Sequence, residues 1–162
     1  MLTKNGPKVI DFGAALGKGE HPEGPPIGKK GYAPAEQLKR GWPVGSYSDV
    51  YSLCAMIYQI ITGNKPPKSL DREVRDTIYP ISAYQIPINS VQEAAIMQGL
   101  AMDYKKRIKN AGDLYYLLYV YGADPNATVE DYYLYSDMFE LTKDLTIYQY
   151  EKMSAIYGSD YM

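Results

Sequence analysis

The chain has 162 residues, a net charge of −2, one cysteine and one histidine, a size that fits one domain with a real buried core. Its 46% apolar and 22% charged residues are those of a globular protein, no apolar run approaches the roughly 20 residues of a membrane helix, and Met1–Lys8 lacks the apolar core of a signal peptide. Cys54 and His21 alone make no zinc site of the usual kind, the near-neutral charge gives no case for nucleic acid, and a lone cysteine on an apolar helical pattern suits a reduced, cytoplasmic setting.

In chain order, Lys8-Val9-Ile10-Asp11-Phe12 reads as a short strand running into a loop. Residues 14–31 hold five glycines and three prolines, which rules out a regular element. Loops of that length inside a compact domain are usually functional or mobile. Ser48 is the expected N-cap of a helix running to about Thr62 and stopped by Gly63. Its apolar positions Val50, Leu53, Cys54, Ile57, Tyr58, Ile60 and Ile61 cover much of the circumference, so a central, buried helix is expected. A short polar helix is expected near Leu70–Asp76. Ser90-Val91-Gln92-Glu93 has the form of a capping box opening a helix through about Ala101. Asn110 with Asp113 opens another, Ala111–Tyr121, ended by Gly122. After a turn at Ala123–Asn126, Thr128 is the expected cap of a helix to about Leu141, and a last helix is expected over Leu145–Tyr157.

Charge is unevenly divided along this order. Residues 1–121 carry 15 Lys and Arg against 11 Asp and Glu, whereas residues 122–162 carry 2 against 8 and seven of the 18 tyrosines. Either the acidic tail packs on the basic body, or these are solvated helix faces.

Several short motifs stand in a fixed order. Asp11-Phe12-Gly13 comes first, then Gly31-Tyr32-Ala33-Pro34-Ala35-Glu36-Gln37, then Ser48-Asp49-Val50-Tyr51, then Thr62-Gly63 with Pro66-Pro67, then Asp103 and Arg107. Each alone is weak, but the ordered set resembles the second half of a bacterial eukaryotic-like Ser/Thr protein kinase domain, from its metal-binding DFG motif to the last helices of the C-lobe. The resemblance covers residues 1–121 and implies a mainly α, partial kinase-like fold. In it, a helical C-lobe would follow a short β-hairpin at Met1–Gly6, the activation segment would span about 11–36, and the central helix about 48–62. Residues 122–162, with their extra helices, fall outside it.

The resemblance also implies roles. Asp11, with Phe12 and Gly13, would lie against ATP, and its carboxylate would hold the Mg²⁺ that bridges the nucleotide phosphates. Glu36, in the Ala-Pro-Glu-type segment, and Arg107 would form a buried ion pair tying the activation segment to the late helices; the plainer alternative for Arg107 is a surface charge beside Lys105 and Lys106. Asp49 would accept hydrogen bonds from a catalytic loop, although the helix dipole alone favours an acid there. Lys29 would stand on the substrate side, near a hydroxyl or phosphate, unless it is a solvated loop lysine. Between Asp11 and Glu36 the sole hydroxyl is that of Tyr32, so the usual loop-ordering phosphate has no Ser or Thr to sit on.

Phosphoryl transfer needs more than this. The 162 residues contain no Gly-x-Gly-x-x-Gly, no nucleotide-holding Lys ahead of Asp11 and no His-Arg-Asp with a following Asn. Met1 is then either a true start or an internal methionine of a longer kinase. Two readings follow. One is the C-lobe portion of a protein Ser/Thr kinase, which acts on protein substrates with ATP and Mg²⁺ when intact and is inactive, without cofactor, as this chain alone. The other is a non-catalytic interaction module that meets a helical partner, or itself, through exposed C-lobe surface.

Overall fold

The computed structural model describes residues 28–124, 126–130 and 132, together with the backbone of two short strands, β1 (Leu2–Thr3) and β2 (Gly6–Pro7), which pair antiparallel. The other regular elements among the described residues are helical. The helices are α1 (Ser46–Thr62), α2 (Ser69–Val74), α3 (Ser90–Gly99) and α4 (Ala111–Tyr115). Single 3-10 turns stand at Ala35–Leu38, Ile81–Tyr84 and Tyr104–Lys106. No helix among the described residues is long and apolar enough to cross a membrane.

The N-cap of helix α1 stands three residues earlier than expected. Gly45, in extended backbone, takes that place, and Ser48 is the third helical residue, where its Oγ accepts from the Gly45 N–H at 3.3 Å. The first turn is held from outside by Ser46 Oγ, which donates to the Lys109 carbonyl at 2.7 Å. The far end closes as expected on Gly63 in the left-handed region, its N–H donating to Gln59 O at 2.8 Å.

Helices α1, α3 and α4 build the core. Val50, Tyr51, Cys54, Ala55 and Tyr58 of α1 meet Val91, Ala95, Ile96 and Leu100 at α3, with Leu114, Leu117, Leu118 and Ile81 closing the cluster. Each large aliphatic side chain buried in this way stabilises by about 1.5–3 kcal/mol. Gly99 lets α3 approach α1, because a Cβ there would run into the Cys54 sulfur. Helix α1 is central to this core, as expected, while its Met56 is 46% and its Ile60 81% exposed.

Two other helix starts differ in detail. Asn89, not Ser90, caps α3, its Oδ1 accepting from Val91 N at 2.8 Å and Gln92 N at 3.3 Å. The expected capping box does not close, because Glu93 instead accepts from Ser82 N at 2.6 Å and ties the Ile81–Tyr84 turn to α3. Helix α2 runs Ser69–Val74 rather than Leu70–Asp76. Asn110 does cap α4 through Asp113 N at 3.0 Å. That helix widens into a π-helical stretch, Tyr116–Tyr121, which ends with Gly122 N donating to Leu117 O at 3.0 Å. Gln92 Nε2 donates to the Leu118 carbonyl at 2.9 Å and pins the stretch to α3.

Thr128 opens one helical turn, with Tyr132 N donating to Thr128 O at 3.0 Å, and Tyr132 is wholly buried in the core. The expected continuation to Leu141 and the helix over Leu145–Tyr157 lie outside the described residues.

Candidate functional site

The segment that leads to α1 is fastened to the helices at three levels. Closest to solvent is a turn in which the Lys29 carbonyl accepts from Tyr32 N at 2.9 Å and Ala33 N at 3.0 Å. Tyr32 donates its hydroxyl to Gln59 of α1, and the Lys65 ammonium lies 4.9 Å from the centre of the Tyr32 ring. One step deeper, the buried Ser69 at the start of α2 donates to the Ala33 carbonyl at 2.8 Å.

Deepest is an ion pair. Glu36 and Arg107, 71 positions apart, are 2% and 1% exposed and meet through two parallel bonds, Nη1 to Oε1 and Nη2 to Oε2, the second at 3.1 Å. The guanidinium's remaining donors go to backbone: Nε to Ala101 O at 2.6 Å, Nη2 to Met102 O at 3.3 Å and Nη1 to Tyr47 O at 3.5 Å. All five N–H groups of an arginine are thereby used. Glu36 also accepts from Ser48 Oγ at 2.9 Å, which gives Ser48 its buried role. The Arg107 guanidinium lies 4.9 Å from the ring centre of Tyr51. A lysine could satisfy neither the fork nor the three carbonyls together.

Tyr51 joins this pair to a second buried cation, which the sequence reading does not single out. Arg72 of α2 is 4% exposed; its Nη1 donates to Tyr51 Oη at 3.1 Å, and its Nε and Nη2 hold the two Asp76 oxygens at 2.9 Å each. These bonds hold the Asp76 carboxyl below its ordinary range, against a smaller desolvation effect in the other direction. Burial pushes the Tyr51 hydroxyl up, opposed by Arg72 and Arg107. Asp76 four positions after Arg72 was the one local signal; the Tyr51 hydroxyl, 21 positions away, was not visible. Outside Arg72 lies an open groove of about 780 Å³ walled by Trp42, Pro43, Met102 and Tyr104.

Of the other expected site residues, Asp49 and Lys29 are described and are not gathered into this hub. Asp49 is exposed in the first turn of α1 and has no hydrogen-bond partner among the described residues; partial burial pushes its carboxyl up. Lys29 is exposed. Asp11, Phe12 and Gly13 lie outside the described residues, as does most of the expected activation segment. Among the described residues no three His, Cys, Asp or Glu stand together in a way that would hold a metal ion. Cys54 is buried, and burial raises its thiol pKa to about 12, so it is no nucleophile.

No protein-family model matches the chain. It is 31% identical over 125 residues to the serine/threonine-protein kinase PknB of Mycobacterium tuberculosis, an alignment taking in 70% of this chain and 20% of that protein. It is 29% identical over 126 residues to the probable serine/threonine-protein kinase SCO3848 of Streptomyces coelicolor, with 70% and 19% covered. Among solved structures it is similar to one described as the apo form of PpkA-294, with a TM-score of 0.50, 27% identity, and 56% of this chain and 31% of that chain covered. The chain spans about a fifth of the length of the curated relatives it matches. Over part of its length it is thus similar to bacterial Ser/Thr protein kinases.

Proposed function

We propose that residues 1–121 are the C-lobe portion of a bacterial-type Ser/Thr protein kinase, contributing architecture and the substrate-facing surface to an ATP-dependent transfer of phosphoryl groups onto protein hydroxyls. The observation that carries this reading is the buried Glu36–Arg107 fork, which clamps the end of the expected activation segment onto the late helices. In this reading β1 and β2 form the hairpin leading to Asp11. Asp11 supplies one carboxylate to Mg²⁺ in the intact enzyme, and Lys29 faces the substrate. Mg²⁺ is held by one or two carboxylates together with substrate phosphates and waters, so in this reading Asp11 is one donor and the nucleotide phosphates are others. In this reading metal and nucleotide are bound by the intact enzyme, and the chain alone, whose sequence holds no Gly-x-Gly-x-x-Gly and no His-Arg-Asp, is inactive.

The test is calorimetry of the purified 162-residue chain with ATP and Mg²⁺. No measurable heat is expected; clear affinity would contradict the expectation that the chain alone lacks a nucleotide site. The genomic sequence just ahead of Met1 supplies an independent check. An in-frame His-Arg-Asp and Gly-rich loop support the kinase portion, and a stop codon with a ribosome-binding site supports a free-standing module.

A second reading has its own observation. Beside exposed Met56 and Ile60, the side chains Ile57, Ile61, Pro87, Ile88, Ile96 and Leu118 line an apolar groove of about 330 Å³. Such a strip on an otherwise well-packed helix is the surface an interaction module would use. Sedimentation of the chain and of an Ile60→Glu variant separates the readings. Self-association lost in the variant favours the module.

A further inference from the structure

The groove beside α1 calls for an apolar occupant. Ile57 and Ile61 of α1 line it together with Ile88, Ile96 and Leu118, and no charged residue among the described ones does so. Its two amide side chains are already engaged. Asn89 Oδ1 caps α3, and Gln92 Nε2 donates to the Leu118 carbonyl at 2.9 Å. The second bond also pins the π-helical stretch that carries Leu118 and Tyr119, so the fold itself sets the shape of the groove. A cleft of about 330 Å³ built this way suits aliphatic side chains better than a charged ligand.

The chain carries such side chains beyond Tyr132. Leu134, Met138, Leu141, Leu145 and Tyr148 follow one another at alternating steps of four and three, the spacing of one apolar seam on a helix. Asp137, Glu140, Lys143 and Asp144 all fall off that seam. The stretch lies outside the described residues, and its spacing is a property of the sequence. Its attachment point is described. Tyr132 is wholly buried, and its hydroxyl donates to Gln98, six positions along α3 from Gln92 in the groove wall. Six helical residues are about 9 Å, a distance that residues 133–162 can readily cover. A segment tethered so near meets the groove at an effective concentration in the millimolar range, which favours it over a second copy of the chain.

We propose that residues 134–148 dock in cis, laying their apolar seam into the groove between α1, α3 and the π-helical stretch. Any partner for this face would then have to displace the chain's own tail. The docking depends on neither nucleotide nor the kinase reading, and it competes with self-association through the same face.

The experiment is cysteine cross-linking with a bismaleimide in the full 162-residue chain carrying I60C and T142C, one beside the groove and one beside the seam. Native Cys54 is buried and does not compete. A cross-linked monomer is expected, formed at a rate independent of protein concentration. Adding L141E/L145E should slow it roughly tenfold, I61Q in the groove about threefold, and the off-seam control S136E/Q149E less than about twofold. Circular dichroism melts confirm that each variant is folded; should I61Q not fold, the comparison of seam with off-seam variants decides alone. Equal rates in L141E/L145E and its parent, equal slowing by the off-seam control, or no cross-link at all would overturn the docking. Cross-linked dimers in place of monomers would overturn the choice of occupant and give the groove to a second copy.

Discussion

The buried fork allows a quantitative test, because the surroundings of its two ends are unequal. Replacing Arg107 by Met removes five donors at once. Glu36 is then left as a buried carboxylate with Ser48 Oγ as its remaining partner, and the carbonyls of Tyr47, Ala101 and Met102 lose a donor. Breaking a buried pair by removing one partner costs about 3–5 kcal/mol, and R107M is expected at the top of that range. Glu36→Gln leaves the guanidinium its three carbonyls and the Tyr51 ring. It replaces one good oxygen acceptor with an amide NH₂ that opposes another donor. Its cost is expected below that range, about 2–3 kcal/mol. R107K keeps the charge but offers three donors where five are used, and it should lose about 1–3 kcal/mol.

Against a total stability on the order of 5–15 kcal/mol, R107M alone consumes a large fraction. The assay is urea unfolding followed at 222 nm, with the midpoint shift converted through a common slope. E36M and the apolar double variant E36M/R107M complete the cycle with R107M. The double variant should be less destabilised than the sum of the singles by about 2 kcal/mol or more, because it strands no charge. If the singles each cost under about 1 kcal/mol, or if their effects add within about 0.5 kcal/mol, the pair is not the buried clamp described above.

Acid titration tests the second cation. Asp76 has a folded pKa below its unfolded value, so its contribution is fully present above the unfolded value, about 3.9, and is lost as pH falls through the folded one. Wild-type stability should therefore fall more steeply than that of D76N below about pH 4, and parallel curves would remove Arg72–Asp76 as a stabilising pair. Asp49 has the opposite sign: its raised folded pKa means that the ionised form is mildly disfavoured. D49N should accordingly leave stability at pH 7 within about 0.5 kcal/mol of wild type, as read by the same urea melts. Cys54 should resist a thiol reagent in native buffer and react promptly in denaturant; fast native labelling would contradict its burial. Tyr132→Ala should cost about 3–5 kcal/mol, since the ring is wholly buried against the core. Phosphopeptide mapping should find no phosphoserine or phosphothreonine between Asp11 and Glu36, where neither residue occurs.

What could be read ahead of the structure depended on the range of the interaction. The ends of α1 and α4 follow from local chemistry, a left-handed glycine at 63 and an Asn110 cap. The start of α3 does not. Asn89 and Ser90 are both good caps, and Glu93 decides between them only because it is drawn away to the Ser82 N–H of another turn. The partnership of Glu36 with Arg107 was legible through the ordered motifs, a long-range signal that composition does not contain. Arg72 was missed because its helix looked like a solvated polar stretch. What buries it is Tyr51 on a different helix, together with a fork to Asp76. Likewise, the apolar circumference of α1 told how much surface wants cover. It could not say which neighbours supply that cover, and Ile60 has little.

The distribution of bonds separates architecture from chemistry. Among the described residues, every partner of the Glu36–Arg107–Tyr51–Arg72 hub lies between Glu36 and Arg107, on the Ala35–Leu38 turn, α1, the α2 region and the 101–107 turn. The bonds described for the hub thus close on one another without a nucleotide or a catalytic loop. Asp49 is the reverse case, an acid on the same helix, exposed and with no hydrogen-bond partner among the described residues. A scaffold complete in itself, carrying one acid with no such partner, is what a C-lobe portion should look like. It is also what a module that has kept the scaffold and lost the chemistry would retain. The two readings predict different fates for Asp49. In a kinase assembled with its remaining parts, D49N should abolish phosphoryl transfer while leaving the urea midpoint unmoved. In a free-standing module, D49N should change neither stability nor partner binding.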